Sequence, residues 1–147
     1  MKINQVTYYD KELEWQYEPI HFSELNLLVG ISGVGKTQIL KSIMSLRKIA
    51  RGGSLNGVKW NINFSIENNN YNWQGEFETT INKSVASIID DDDESDKPKY
   101  RIINEYLSLD NRAIVERNNN QINFKSIRFS EKASWKCILL VDTFIDI

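Results

Sequence analysis

Residues 25–37 read Leu25-Asn26-Leu27-Leu28-Val29-Gly30-Ile31-Ser32-Gly33-Val34-Gly35-Lys36-Thr37. Leu25, Leu27, Leu28 and Val29 form a short, nearly continuous apolar run, the pattern of a strand buried on both faces. A glycine-rich turn follows at once. Its spacing, G-x-x-x-x-G-K-T from Gly30 to Thr37, is that of a phosphate-binding loop. Glycines there let successive backbone N–H groups converge on phosphate oxygens, and the helix that follows turns its positive dipole end toward them. Beyond the loop Ile39, Leu40, Ile43, Met44 and Leu46 recur at spacings of three and four, which predicts an amphipathic helix over 36–50, stopped by Arg51-Gly52-Gly53. Gly30, Ser32, Gly33, Val34, Gly35, Lys36, Thr37 and Gln38 are therefore the candidate phosphate contacts. Lys36 suits the β- and γ-phosphates, and the Thr37 hydroxyl is the candidate Mg²⁺ ligand.

Working outward, residues 2–9 and 13–17 alternate apolar with polar side chains around Asp10-Lys11 and predict a first hairpin. After the helix, 58–66 and 71–81 are alternating, aromatic-bearing runs joined by Glu67-Asn68-Asn69-Asn70, a second hairpin. Short runs at 100–109, 113–116 and 121–124 continue as an antiparallel meander. Residues 90–99 (DDDDESDKPK) read as an acidic loop, because adjacent like charges repel and Pro98 breaks a ladder. In 135–147, Ile138-Leu139-Leu140-Val141 followed by Asp142 predicts one more buried strand.

The length of 147 residues suits a single domain, here taken as 1–147. A net charge of -2 gives no bulk drive toward nucleic acid or anionic membrane. Six of the 20 acids lie between Asp90 and Asp96, so the remainder carries about +4 by subtraction. Cys137 is the one cysteine and His21 the one histidine, which leaves neither a disulfide framework nor a zinc site. With no run of about 18 apolar residues and no leader-like N-terminus, a cytoplasmic protein outside the membrane is expected.

Phe22-Ser23-Glu24-Leu25-Asn26-Leu27-Leu28-Val29-Gly30, together with Ser32-Gly33-Val34-Gly35-Lys36-Thr37-Gln38-Ile39-Leu40-Lys41-Ser42-Ile43, resembles the N-terminal lobe of ABC-type ATPases of the SMC, RecF and OLD group. The run 32–40 and Trp73-Gln74-Gly75-Glu76-Phe77 are similar to small AAA-type ATPases of anti-phage systems, the retron- and Septu-associated PtuA-like proteins. The resemblance implies an α+β fold of the P-loop NTPase class: a mostly antiparallel sheet with one P-loop helix, packed through Ile39, Leu40, Ile43 and Met44 onto the 25–29 strand. It also implies ATP and Mg²⁺ as ligands. As partners it implies a second ATPase lobe or self-association, and a nuclease or other defence effector. The group's signature loop has no counterpart here. Asp142 imitates the end of the group's second acidic strand, but Thr143 stands where its general-base Glu belongs, so a buried strand ending at a surface Asp is the preferred reading.

ATP is preferred to GTP because Asn82-Lys83-Ser84-Val85 lacks the Asp of the guanine-reading N-K-x-D element. The leading reading is an ATP-binding P-loop domain of an ABC-type or AAA ATPase, hydrolysing ATP when completed by a partner or a further half; a nucleotide-binding module without turnover and a small P-loop kinase are the alternatives. The kinase requires alternating strands and helices after residue 50. Among lesser features, Tyr8, Tyr9, Trp15 and Tyr17 are candidates to stack on a base, though alternation favours cross-strand pairs. Lys41, Arg47, Lys48 and Arg51 form a basic helix end suited to capping, with nucleic-acid phosphate as the alternative. His21 has no triad partners, and the acidic run reads as a solvated loop.

Overall fold

The computed structural model describes residues 1–80 and 99–125. The elements are β1 (Lys2–Asp10), β2 (Trp15–His21), α1 (Lys36–Ala50), β3 (Val58–Ile66), β4 (Asn69–Phe77), β5 (Ile102–Leu109), β6 (Arg112–Asn118) and β7 (Gln121–Phe124). All seven strands join one sheet in the order β2-β1-β3-β4-β5-β6-β7, and every neighbouring pair is antiparallel.

Turn chemistry explains most of this order. Asp110 and Asn111 both take positive φ, 45° and 64°, and close β5 onto β6 with a two-residue loop of the kind that matches strand twist. Glu67 (φ 55°) and Asn119 (φ 53°) do the same for the hairpins on either side. β2 and β3 both flank β1 and therefore run in the same direction. The link between them, which contains α1, must cross β1, and this places the helix at that end of the sheet.

One face of the sheet is apolar by simple alternation. Val58, Trp60, Ile62 and Phe64 of β3 are buried, as are Val6 and Tyr8 of β1 and Tyr71, Trp73 and Phe77 of β4. Gly75 breaks the β4 series for a local reason: it pairs with Trp60, whose indole lies over it, so a side chain at 75 would collide with that ring. The freed space lets Trp60 meet Trp73 edge-on at 5.2 Å and Phe77 at 5.4 Å between centroids, while Phe64 stacks on Tyr71 at 5.2 Å. On the opposite face Asn72 donates to Asn61 and Asn63, both at 2.7 Å, and Asn63 donates to Gln5 at 3.0 Å. These short amides tie β1, β3 and β4 together in one register.

A second clamp follows the helix. Asn56 Oδ1 accepts the Thr80 N–H (2.9 Å), and Asn56 Nδ2 donates to Thr80 O (3.0 Å) and to Glu12 (2.6 Å). The Gly57 N–H donates to Glu78 O at 2.9 Å.

Two expectations are corrected here. The α+β class of P-loop NTPases is replaced by a mainly-β architecture: α1 is the one helix among the described residues, and no strand pair there is parallel. Among the described residues after 50, Asn- and Asp-rich turns and period-two patterning build hairpins rather than crossover helices. The 25–29 run is also not a strand. It joins no ladder, and Leu25, Leu27 and Val29 are exposed. The helix accordingly does not pack on it. α1 buries Ser42, Leu46 and Ile49 instead, leaves Ile39 and Ile43 half-buried, and exposes Leu40 and Met44. The strand expected over 135–147 and most of the 90–99 loop lie outside the described residues.

Because the Trp60 ring occupies the side-chain space at 75, Gly75→Ala is expected to destabilise the fold by about 1–3 kcal/mol. Urea unfolding followed by tryptophan fluorescence measures the loss.

Candidate functional site

The candidate phosphate contacts form one continuous structure. Gly30, Ser32, Gly33, Val34 and Gly35 make the loop, and Lys36, Thr37 and Gln38 make the first turn of α1. Gly33 and Gly35 take φ of 87° and 93°, which L side chains rarely adopt, so glycine is required for this curl. The Lys36 ammonium donates to Gly30 O and Ile31 O, each at 2.7 Å, and draws the beginning of the loop back over the helix N-terminus.

That N-terminus is open. Gly35 is its N-cap and offers no side-chain hydrogen bond, the first turn carries no acid, and the first backbone bond of the helix runs from the Ile39 N–H to Gly35 O at 3.1 Å. The N–H groups of Lys36, Thr37 and Gln38 precede it, and such groups have no partner inside a helix. With the dipole behind them they suit an anion. Thr37 is exposed in the same turn. Among the described residues no group of three or more His, Cys, Asp or Glu side chains is placed to hold a metal ion, and Thr37 is the hydroxyl of this turn that a magnesium ion would use. An uncapped helix N-terminus and the Thr37 hydroxyl are the donor types that a triphosphate and its metal would use.

Of the four aromatics that precede the loop, the structure singles out Trp15. Its indole nitrogen comes within 3.8 Å of the position a Gly35 side chain would take. Trp15 also meets Tyr17 edge-on at 5.0 Å and lies 6.4 Å from Tyr8. Alternation alone could not rank these rings, because it reports which face a residue takes and not what stands above that face. Tyr17 and Tyr8 serve the helix instead: the Tyr17 hydroxyl bonds the Ser42 hydroxyl at 2.8 Å, Ser42 in turn donates to Ile39 O at 2.7 Å, and the Ser45 side chain hydrogen-bonds Tyr8. Two phenols thus fasten the helix that carries Lys36 and Thr37 to β1 and β2, a role no sequence signal announced.

The remaining candidates are dispersed. His21 is exposed at the end of β2. Lys41, Arg47, Lys48 and Arg51 line a groove with Met44, Ser45 and Gly53 at the far end of α1 from the loop. Asp142 and residues 82–85 lie outside the described residues. No helix among those described is long and apolar enough to cross a membrane. No protein-family model matches the chain, and no curated protein and no solved structure is significantly similar to it.

Burial pushes the Tyr8 phenol up to about 12 from its ordinary 10.0, with Asp10 adding to the shift and the Ser45 bond opposing it; burial raises Tyr17 as well. A phenol raised on folding stabilises the protein fully below its unfolded pKa. That contribution is lost as pH climbs through the folded pKa, because the unfolded chain sheds its proton first. Urea midpoints are expected to hold steady up to about pH 10 and to fall from there toward pH 12. In Tyr8→Phe the fall should be shallower.

Proposed function

We propose that the chain binds ATP with Mg²⁺ through Gly30, Ser32, Gly33, Val34, Gly35, Lys36, Thr37 and Gln38, as a nucleotide-binding module that does not turn ATP over by itself. The observation that carries the reading is the Lys36 grip on Gly30 O and Ile31 O, which curls the loop around an uncapped helix N-terminus. An ammonium so placed is within a side-chain rotation of the phosphates that the loop N–H groups would hold. Trp15, beside Gly35, is the aromatic positioned to report a bound nucleotide. Adenine rather than guanine is supported by the missing guanine-reading Asp in 82–85. An anti-phage or DNA-associated setting, with an ATPase lobe or a nuclease as partner, rests on the residue resemblance at 22–43 and 73–77.

Turnover needs more than phosphate binding. A carboxylate must orient the attacking water and further donors must stabilise the transferring phosphoryl group. The first turn of α1 supplies no acid, and Thr143 stands where a general-base Glu would follow Asp142, which favours the binding module over solitary catalysis. The kinase reading loses its support because β3 to β7 run antiparallel with no intervening helix among the described residues.

Calorimetric titration with Mg-ATP decides the assignment. The wild-type chain is expected to bind. Lys36→Ala should lose at least about tenfold in affinity, the scale of a charge-assisted hydrogen bond, with a smaller loss for Thr37→Ala and unchanged circular dichroism for both. Unchanged affinity in Lys36→Ala sinks the reading. Phosphate release by the isolated chain should stay near background, with Asp142→Ala leaving affinity as it was. Robust turnover abolished by Asp142→Ala would instead identify a complete ATPase.

A further inference from the structure

We infer that the basic groove along the C-terminal half of α1 is the docking site of this chain's own acidic run, Asp90-Asp91-Asp92-Asp93-Glu94-Ser95-Asp96. The groove, of about 980 Å³, is lined by Lys41, Arg47, Lys48 and Arg51 together with Met44, Ser45 and Gly53, and among the described residues no acid lines it. The surrounding sequence offers none either: from Leu25 to Ile66 the chain has six cations and no acidic residue. Lys36 grips the carbonyls of Gly30 and Ile31, and Lys59 pairs with Glu76 at 2.8 Å; the other four cations share the groove. Lys48 and Arg47 stand three and four residues before Arg51, the spacings at which like charges on a helix repel. The dipole at the helix C-terminus offsets only part of this. The acidic run has the complementary excess, six carboxylates within seven residues, so pairing the two relieves both.

Where the chain departs and returns argues for this occupant over a free polyanion. Thr80 is held by the Asn56 amide, and the Tyr100 N–H donates to the Ser54 hydroxyl at 3.0 Å. Ser54 directly follows Gly53, which lines the groove. Both ends of the connection that carries the run are therefore fastened beside the cations. Four residues from Tyr100 to Asp96 reach at most about 14 Å, and ten from Thr80 to Asp90 at most about 36 Å. Lys41 and Arg51 are separated by about 15 Å along the helix, so the tether allows the run to meet all four cations. Each exposed ion pair is weak alone, but several formed together act as a network, and a short tether supplies an effective concentration in the millimolar range. The groove lies at the end of α1 away from the phosphate loop, so the pairing does not depend on nucleotide binding.

Carbodiimide coupling, which joins a carboxylate to a lysine amine without a spacer, tests the inference on the full chain, with products mapped by peptide mass spectrometry. Lys41 and Lys48 are expected to couple to residues 90–96 within the monomer. Lys2, paired with Ser65 at the other end of β3, and Lys125, beyond β7, should not. The yield should fall at least about fivefold between about 0.01 M and about 1 M salt, as the Debye length shrinks from about 30 to about 3 Å. A double-mutant cycle reads the same contact without cross-linking: the change in urea midpoint caused by Lys41→Gln/Arg51→Gln should vanish once the six acids are replaced by Asn or Gln, with circular dichroism confirming that each variant is folded. Coupling of the run to Lys2 or Lys125 as often as to Lys41 and Lys48, links found only between copies, or additive effects in the cycle overturn the inference. So does a groove that takes up a single-stranded oligonucleotide with the same affinity whether or not the six acids have been neutralised.

Discussion

Burial of Leu46 and Ile49 of α1 against the apolar face of the sheet is the contact on which the rest of this structure depends. The helix is asked to cover more than its size permits. Fifteen residues rise roughly 22 Å, whereas seven strands spread over roughly 29 Å from first to last. The link from β2 to β3 crosses β1, so the helix is fixed at one end. What it leaves open over β3 and β4 is filled by the sheet's own rings, Trp60, Trp73, Phe77, Phe64 and Tyr71. Toward β7, where every residue is exposed, covering runs out. The well-packed part of the molecule is therefore the part that holds the loop at residues 30–35.

Local pattern and turn chemistry carried the reading of the hairpins. The alternation of Val58, Trp60, Ile62 and Phe64, and the Asn- and Asp-rich turns at 67–70, 110–111 and 118–120, specify a meander without knowledge of anything distant. The Gly30 to Thr37 loop was legible for the same reason, since its glycines, lysine and helix start are all local. The 25–29 run was not. Its composition states that it wants burial on both faces, but a strand exists only if neighbours supply ladders, and among the described residues none does. Helix periodicity failed in a related way: Leu40 and Met44 belong to the apolar stripe, yet the sheet lies on the Ser42, Leu46 and Ile49 side. The α+β class followed from reading the local motif as if it brought its usual surroundings.

The loop and the sheet are also linked more directly than the motif implies. Through Tyr17, Ser42 and Ile39 O, hydrogen bonds lead from β2 into the first turns of α1, and Trp15 of the same strand stands beside Gly35. β2 is an edge strand, paired only with β1 among the described residues. Any change in how that edge is held is thus transmitted to the helix carrying Lys36 by a few side chains rather than by the whole core.

The Asn56 clamp has a chemical consequence. An asparagine followed by glycine is the dipeptide most prone to spontaneous deamidation, in which the glycine nitrogen attacks the asparagine side-chain carbonyl to close a succinimide ring. In this fold the Gly57 N–H is engaged by Glu78 O, and both ends of the Asn56 amide are held by Thr80 and Glu12. The attack geometry is withheld while the clamp is closed and becomes available when it opens. Isoaspartate formed at position 56 would therefore record the time each molecule has spent with this junction unfastened, making the protein's own covalent ageing a clock for its local unfolding.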